Sequence, residues 1–133
     1  MTYKALATST EGRKLEFARP VRRADDREPW SYDAALTVEL TKASVSVWDY
    51  GAGPAGFFQS LADDWKGWDG ERSWSSLEGQ LVIEARHDGK GLIICEVAIG
   101  SKIPPAWSLR ASTTFGAGTH MEEIASSVAR ALA

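Results

Sequence analysis

The sequence predicts an α+β domain: a mostly antiparallel sheet of five to six strands with two helices packed on one face, ordered β-β-β-α-β-β-β-α. Three observations carry that expectation. Apolar side chains between Phe57 and Trp68 fall on a single helical arc. Several short segments alternate apolar and polar residues. The C-terminal stretch again repeats apolar residues at helical spacing.

Residues 14–21 read as the first strand, with Leu15, Phe17 and Val21 on one side, and a charged loop through Pro29 and Trp30 follows. Leu36, Val38 and Leu40 alternate with Thr37, Glu39 and Thr41, the period of a half-buried strand. A bend at Thr41-Lys42 leads to a third strand, in which Val45 and Val47 alternate with Ser44, Ser46 and Trp48. The loop Gly51-Ala52-Gly53-Pro54 ends it, and Pro54 suits the first turn of a helix. On that helix Phe57, Phe58, Leu61, Ala62, Trp65 and Trp68 share an arc of roughly 140°, so Phe58 and Trp65 are both expected to be buried. Gln59, Ser60, Asp63, Asp64 and Lys66 take the other side, and Gly67 and Gly70 bracket the helix end.

Leu81, Ile83 and Ala85 oppose Val82, Glu84 and Arg86 on the next strand. Asp88-Gly89-Lys90-Gly91 supplies the positive-φ residues of a hairpin. Ile93, Cys95, Val97 and Ile99 then face one way and Leu92, Ile94, Glu96 and Ala98 the other. Beyond Pro104-Pro105, Trp107, Leu109, Ala111, Thr113 and Phe115 make a last strand opposite Ser108, Arg110, Ser112 and Thr114. Thr119 and Glu122 fit a capping box for a final helix. Its apolar face is Met121, Ile124, Ala125, Val128, Ala129 and Leu132.

A chain of 133 residues suits one domain over residues 1–133, the first 32 contributing an N-terminal strand and the charged loop. With 44% hydrophobic and 25% charged residues it has the composition of a folded globular domain. The net charge of −3 argues against nucleic acid as a partner. Early basic residues such as Lys4, Arg13 and Arg27 are interleaved with Glu11, Asp25 and Asp26, which reads as a solvated face. The single cysteine excludes an internal disulfide. Residues 1–10 hold no signal-length apolar run, and Leu92-Ile93-Ile94-Cys95 is too short to span a bilayer. A cytoplasmic protein with no membrane partner is expected.

Gly51-Ala52-Gly53-Pro54-Ala55-Gly56 is a literal G-x-G-x-x-G between a strand and a helix, the setting of a dinucleotide fingerprint. Hairpins surround it, whereas that fold needs parallel strands. Pro54 also removes an amide, so a plain helix-starting loop is expected and no cofactor. Cys95 reads as a core residue. His87 and Asp88 are adjacent at a hairpin tip and point apart. Asp63 and Asp64 point about 100° apart on a helix, unlike a working carboxylate pair. Two histidines and one cysteine offer no metal-ligand spacing. No catalytic set emerges, and the expectation is a protein that is not an enzyme.

Residues 65–76 stand out, with Trp65, Trp68 and Trp74 close to Arg72, Gly67 and Gly70. The run Gly67-Trp68-Asp69-Gly70, Arg72, Trp74-Ser75 follows Phe58, Leu61 and Ala62 and precedes Leu77, Leu81, Ala85 and the Gly91 hairpin. In this it resembles a family of small bacterial single-domain proteins of unknown function. In that family an F-x-x-L-A helix leads through G-W-x-G-x-R-x-W-x-S into a β-hairpin. The resemblance covers residues 33–132 and is strongest from Phe57 to Ala98. It implies a compact α+β domain and no particular activity.

The turn has two readings. Trp68, Arg72 and Trp74 close the core with the guanidinium held between the indoles, or they present a binding surface rich in the residues that dominate hot spots. A second candidate surface is the sheet face away from the helices, with Glu84, Arg86, Glu96 and Arg110, joined there by Glu39. The expected function is a non-enzymatic protein-interaction module, its partner another protein or a second copy. A small-molecule or saccharide pocket, or an enzyme site, at the tryptophan turn is the rival. Immunity to a bacterial toxin is a further alternative, by analogy of fold alone.

Overall fold

The computed structural model describes residues 13–23 and 28–133. Residues 1–10 and the charged residues Glu11, Asp25, Asp26 and Arg27 of the expected N-terminal segment lie outside them. The elements run β1 (Arg13–Val21), β2 (Ser31–Val38), β3 (Thr41–Trp48), α1 (Ala55–Asp63), β4 (Glu71–Ser75), β5 (Leu81–His87), β6 (Leu92–Ser101), β7 (Trp107–Gly116) and α2 (Thr119–Ala131). All strand pairs are antiparallel. They form two sheets, β1-β2-β3 and β4-β5-β6-β7, rather than the single sheet of five to six strands expected. Alternation reports which face a residue takes and says nothing about which strand lies beside it.

The helices do not lie on one sheet. α1 packs on α2, α2 packs on β1 and β7, and the two sheets approach where β3 meets β6 and β2 meets β7. One core results. Leu15, Phe17, Tyr32 and Leu36 enter it from the first sheet and Leu81, Ile83, Ile93 and Phe115 from the second. Phe58, Leu61, Met121 and Val128 close it from the helices. The Arg13 guanidinium ties the sheets together at the surface, its Nη1 donating to the Ser112 carbonyl at 2.6 Å.

Local chemistry explains where the sequence reading slips. Val21 is 56% exposed, because the register of β1 shifts between Ala18 and Val21, where Arg19 has φ 51° before Pro20. The β2–β3 turn is Glu39-Leu40, with Glu39 at φ 54°, so Leu40 stands at a hairpin tip in water. Glu39 therefore leaves the face of Glu84 and Glu96 and accepts instead from Arg13 Nε at 3.3 Å.

α1 stops at Asp63. Beyond it the wheel arithmetic fails, and Trp65 is 50% exposed rather than buried, while Phe58 is buried as expected. Pro54 is the N-cap of α1 rather than part of its first turn. At α2 the capping box is not formed: the N-cap is Gly118, at φ 83°, and Thr119 is already helical. His120 Nδ1 accepts the Gly116 N–H at 3.1 Å. The Asp88 hairpin forms as read, with Asp88 Oδ1 accepting the amides of Lys90 and Leu92, which hold its carboxyl below the ordinary range.

Candidate functional site

The tryptophan turn contains a strand that alternation did not reveal. β4 pairs with β5, and Arg72 and Trp74, two residues apart, turn to the same side, where both are half-buried. Arg72 is not held between two indoles. Its guanidinium lies 4.6 Å from the Trp68 ring, and its Nη1 meets Asp64 Oδ2 at 2.6 Å and the Ser60 carbonyl at 3.4 Å. A cation beside the last carbonyls of α1 also meets the negative end of the helix dipole. Trp74 turns elsewhere, its indole N–H donating to the Ala52 carbonyl at 3.3 Å.

Trp68 packs edge-on against His87, whose Nδ1 accepts the Gly89 N–H and whose Nε2 faces the Trp65 carbonyl at 3.0 Å. That pair of partners assigns the proton to Nε2. The Trp68 indole N–H has no acceptor among the described residues, and a shallow hollow lined by Lys66, Asp69, His87 and Asp88 lies beside it. The three contacts of Arg72 fasten the turn to α1. Arg72→Ala is therefore expected to lower stability by about 1–2 kcal/mol, a half-exposed cation–π contact plus charge-assisted bonds discounted for solvent screening. Thermal melts of both proteins check this, and an unchanged midpoint would make the turn a functional surface instead.

The other candidate surface is the face of the second sheet that no described element covers, laid out by strand register. Its central row is Ser73–Glu84–Glu96–Ser112. On one side runs Glu71–Arg86–Ile94–Thr114 and on the other Ser75–Val82–Ala98–Arg110. Glu84 and Glu96 are direct cross-strand partners. Among the described residues none of Glu84, Arg86, Glu96 and Arg110 joins an ion pair. A depression of about 130 Å³ is lined by Val82, Glu84, Glu96, Ala98, Arg110 and Ser112. A smaller one, about 60 Å³, lies among Glu71, Glu84, Arg86, Ile94 and Glu96. Along the strand direction the face thus carries Arg86 with Glu71 across from it, then Glu84 and Glu96, then Arg110, in rows about 7 Å apart.

The glycine-rich loop holds an anion of its own. Glu28 accepts the Ala55 N–H at 2.7 Å and the Gly56 N–H at 3.3 Å, occupying the donors that a phosphate would use. A Cβ on Gly53 would come within 2.8 Å of Glu28 Oε1, so the glycine leaves room for this carboxylate. Next to it, buried Asp49 accepts from the Tyr32 hydroxyl and, at 3.1 Å, from the Leu77 N–H. Neither Glu28 nor Asp49 was singled out from sequence. The only hint for Asp49 was an acid closing a strand just before a glycine turn.

Burial pushes the Glu28 carboxyl above its ordinary range, against the pull of the two amides, and the nearby Asp49 adds to the rise. Burial raises Asp49 as well, opposed by its two donors. Such groups penalise the fold while charged. As pH falls through the raised values, the native state takes up protons more readily than the unfolded chain, and stability rises until the ordinary range is reached. Wild type is therefore expected to gain stability relative to Glu28→Gln between about pH 7 and about pH 5. Urea unfolding at both pH values measures it, and a relative loss on acidification contradicts the assignment.

The remaining reactive groups are engaged or buried. Burial pushes the Cys95 thiol up to about 12. Asp88 is taken up by its own hairpin and His87 by the tryptophan turn. Among the described residues no three histidine, cysteine, aspartate or glutamate side chains gather as a metal site, and no helix is long and apolar enough to cross a membrane.

Fold and surface define a class: an antiparallel α+β domain with its core sealed by two helices and one charged sheet face uncovered. The chain belongs to a family of unknown function, DUF6228, whose model matches residues 6–133. The match begins well ahead of residue 33, where the motif-based resemblance starts, and takes in β1 and β2. No curated protein and no solved structure matches the chain.

Proposed function

We propose that this domain is a non-catalytic protein-interaction module that docks a partner protein on the uncovered face of β4–β7. The observation that carries the reading is the Glu84–Glu96 pair. Two carboxylates placed directly across adjacent strands repel, at a cost of a few tenths to about 1 kcal/mol, and neither joins an ion pair with a described cation. Arg86, with Glu71 across from it, and Arg110 lie one row away on either side, and among the described residues neither arginine joins an ion pair. The tryptophan turn supports the same choice, since Arg72 and Trp74 direct their polar atoms to α1 and the glycine loop.

Glu84→Gln and Glu96→Gln are each expected to leave stability unchanged or raise it by up to about 1 kcal/mol. Urea unfolding of the two variants decides, and a clear loss in both would give the pair a structural role. A photo-crosslinking residue at Ser112, on the face, and another at Ser46, on the other sheet, then tests docking in cells. Adducts with a distinct protein are expected from Ser112 alone and are expected to vanish when Glu84 and Glu96 are both replaced by arginine. Equal adducts from both positions, or adducts of two copies of this chain, would overturn the reading.

A further inference from the structure

Resting on that reading of the uncovered face, we propose that its larger depression receives an arginine side chain of the partner protein. The lining has two parts. Val82 and Ala98 are cross-strand partners and form an apolar floor, and Glu84 and Glu96 stand side by side one row along. An arginine matches both: its three methylenes cover the floor, and its planar fork offers donors to two carboxylates at once. Cross-strand neighbours place side chains about 5 Å apart, a separation that a five-donor guanidinium spans better than a single ammonium.

The flanking charges sharpen the choice. Arg110 borders the larger depression and Arg86 the smaller, and both depressions share Glu84 and Glu96. On the other side Arg86 already faces Glu71 across the strands, so Arg110 is the cation left for the partner to meet. A carboxylate on the partner about 7 Å from the arginine would reach Arg110. The occupant is therefore a polypeptide surface with an arginine beside an acidic residue. A bound metal suits the pair less well, because two carboxylates fall short of the oxygens that calcium or magnesium takes.

The probe is N-acetyl-arginine amide, titrated into the full chain and followed by amide NMR shifts. The control is N-acetyl-citrulline amide, which has the same shape without the charge. Saturable shifts confined to Val82, Glu84, Glu96, Ala98 and Ser112 are expected from the arginine probe. Citrulline is expected to bind at least about tenfold more weakly. Glu84→Gln/Glu96→Gln, which relieves repulsion and so retains the fold, is expected to abolish the shifts. Equal binding of citrulline, or arginine shifts that are scattered or survive the double substitution, would overturn the proposal. Because crosslinking from Ser112 reports any docked protein, its adducts persisting while the arginine probe fails would sink this proposal alone.

Discussion

Phe58→Ala is expected to destabilise the domain by about 3–5 kcal/mol, the range for an emptied aromatic site in a close-packed core. Phe58 is 1% exposed, on the face of α1 turned towards the core that α2 and both sheets enclose. Its ring packs edge-on against Phe57 at 6.0 Å, and Leu61 lies one turn along the same face. α1 packs on α2 and shares one core with both sheets, so collapse into the vacancy would require packed elements to move together. Trp65→Ala is the internal contrast. Half the surface of Trp65 already lies in water, so its loss is expected to cost less than about 1 kcal/mol despite the larger side chain. Equilibrium urea unfolding of the two variants gives both numbers, and similar losses would mean that α1 continues through Trp65.

Asp49→Ala is the second large effect. Its carboxylate satisfies the buried Tyr32 hydroxyl and the partly exposed Leu77 N–H. The orphaned Tyr32 hydroxyl costs about 1–3 kcal/mol and the Leu77 N–H less, the total being lessened by the relief of a buried charge. The substitution also uncouples three elements, since Tyr32 belongs to β2, Asp49 follows β3 and Leu77 lies between β4 and β5. Asp49→Asn keeps one acceptor and is expected to lose about half as much. Unfolding of the pair in urea tests the ordering, and an alanine variant as stable as wild type would remove the network from the account of the fold.

Much of this architecture was legible because burial imposes a period. Met121, Ile124, Ala125 and Val128 announce α2, and Ile93, Cys95, Val97 and Ile99 announce β6, because each set fills one face of its element. The same alternation placed Glu84, Arg86, Glu96 and Arg110 outward, as found. Strand pairing was not legible, since it depends on distant residues that a period of two does not name. Thus the division into two sheets and the Glu84–Glu96 opposition emerged only with register. β4 was hidden because Glu71-Arg72-Ser73-Trp74-Ser75 carries a cation where an apolar residue would mark the inner face. Trp65 misled because helical arithmetic assumes a helix that continues, and the chain turns at Asp64, which leaves helical geometry at φ −99° and ψ 40° and whose carbonyl accepts the Gly67 N–H at 2.9 Å.

The Arg13–Ser112 bond bears on how this protein meets others. Among the described residues β7 is the outer strand of its sheet, ten residues long, and an uncovered strand of that length would be a template on which further chains can add and grow into fibres. A guanidinium seated on the Ser112 carbonyl near its middle takes one of the groups that such a chain would need. An incoming strand would have to displace a charge-assisted bond before finding register. Assembly by backbone pairing, which accepts almost any sequence, is thereby discouraged on this flank. The docking proposed for the broad face relies instead on side chains, whose pattern would discriminate between partners.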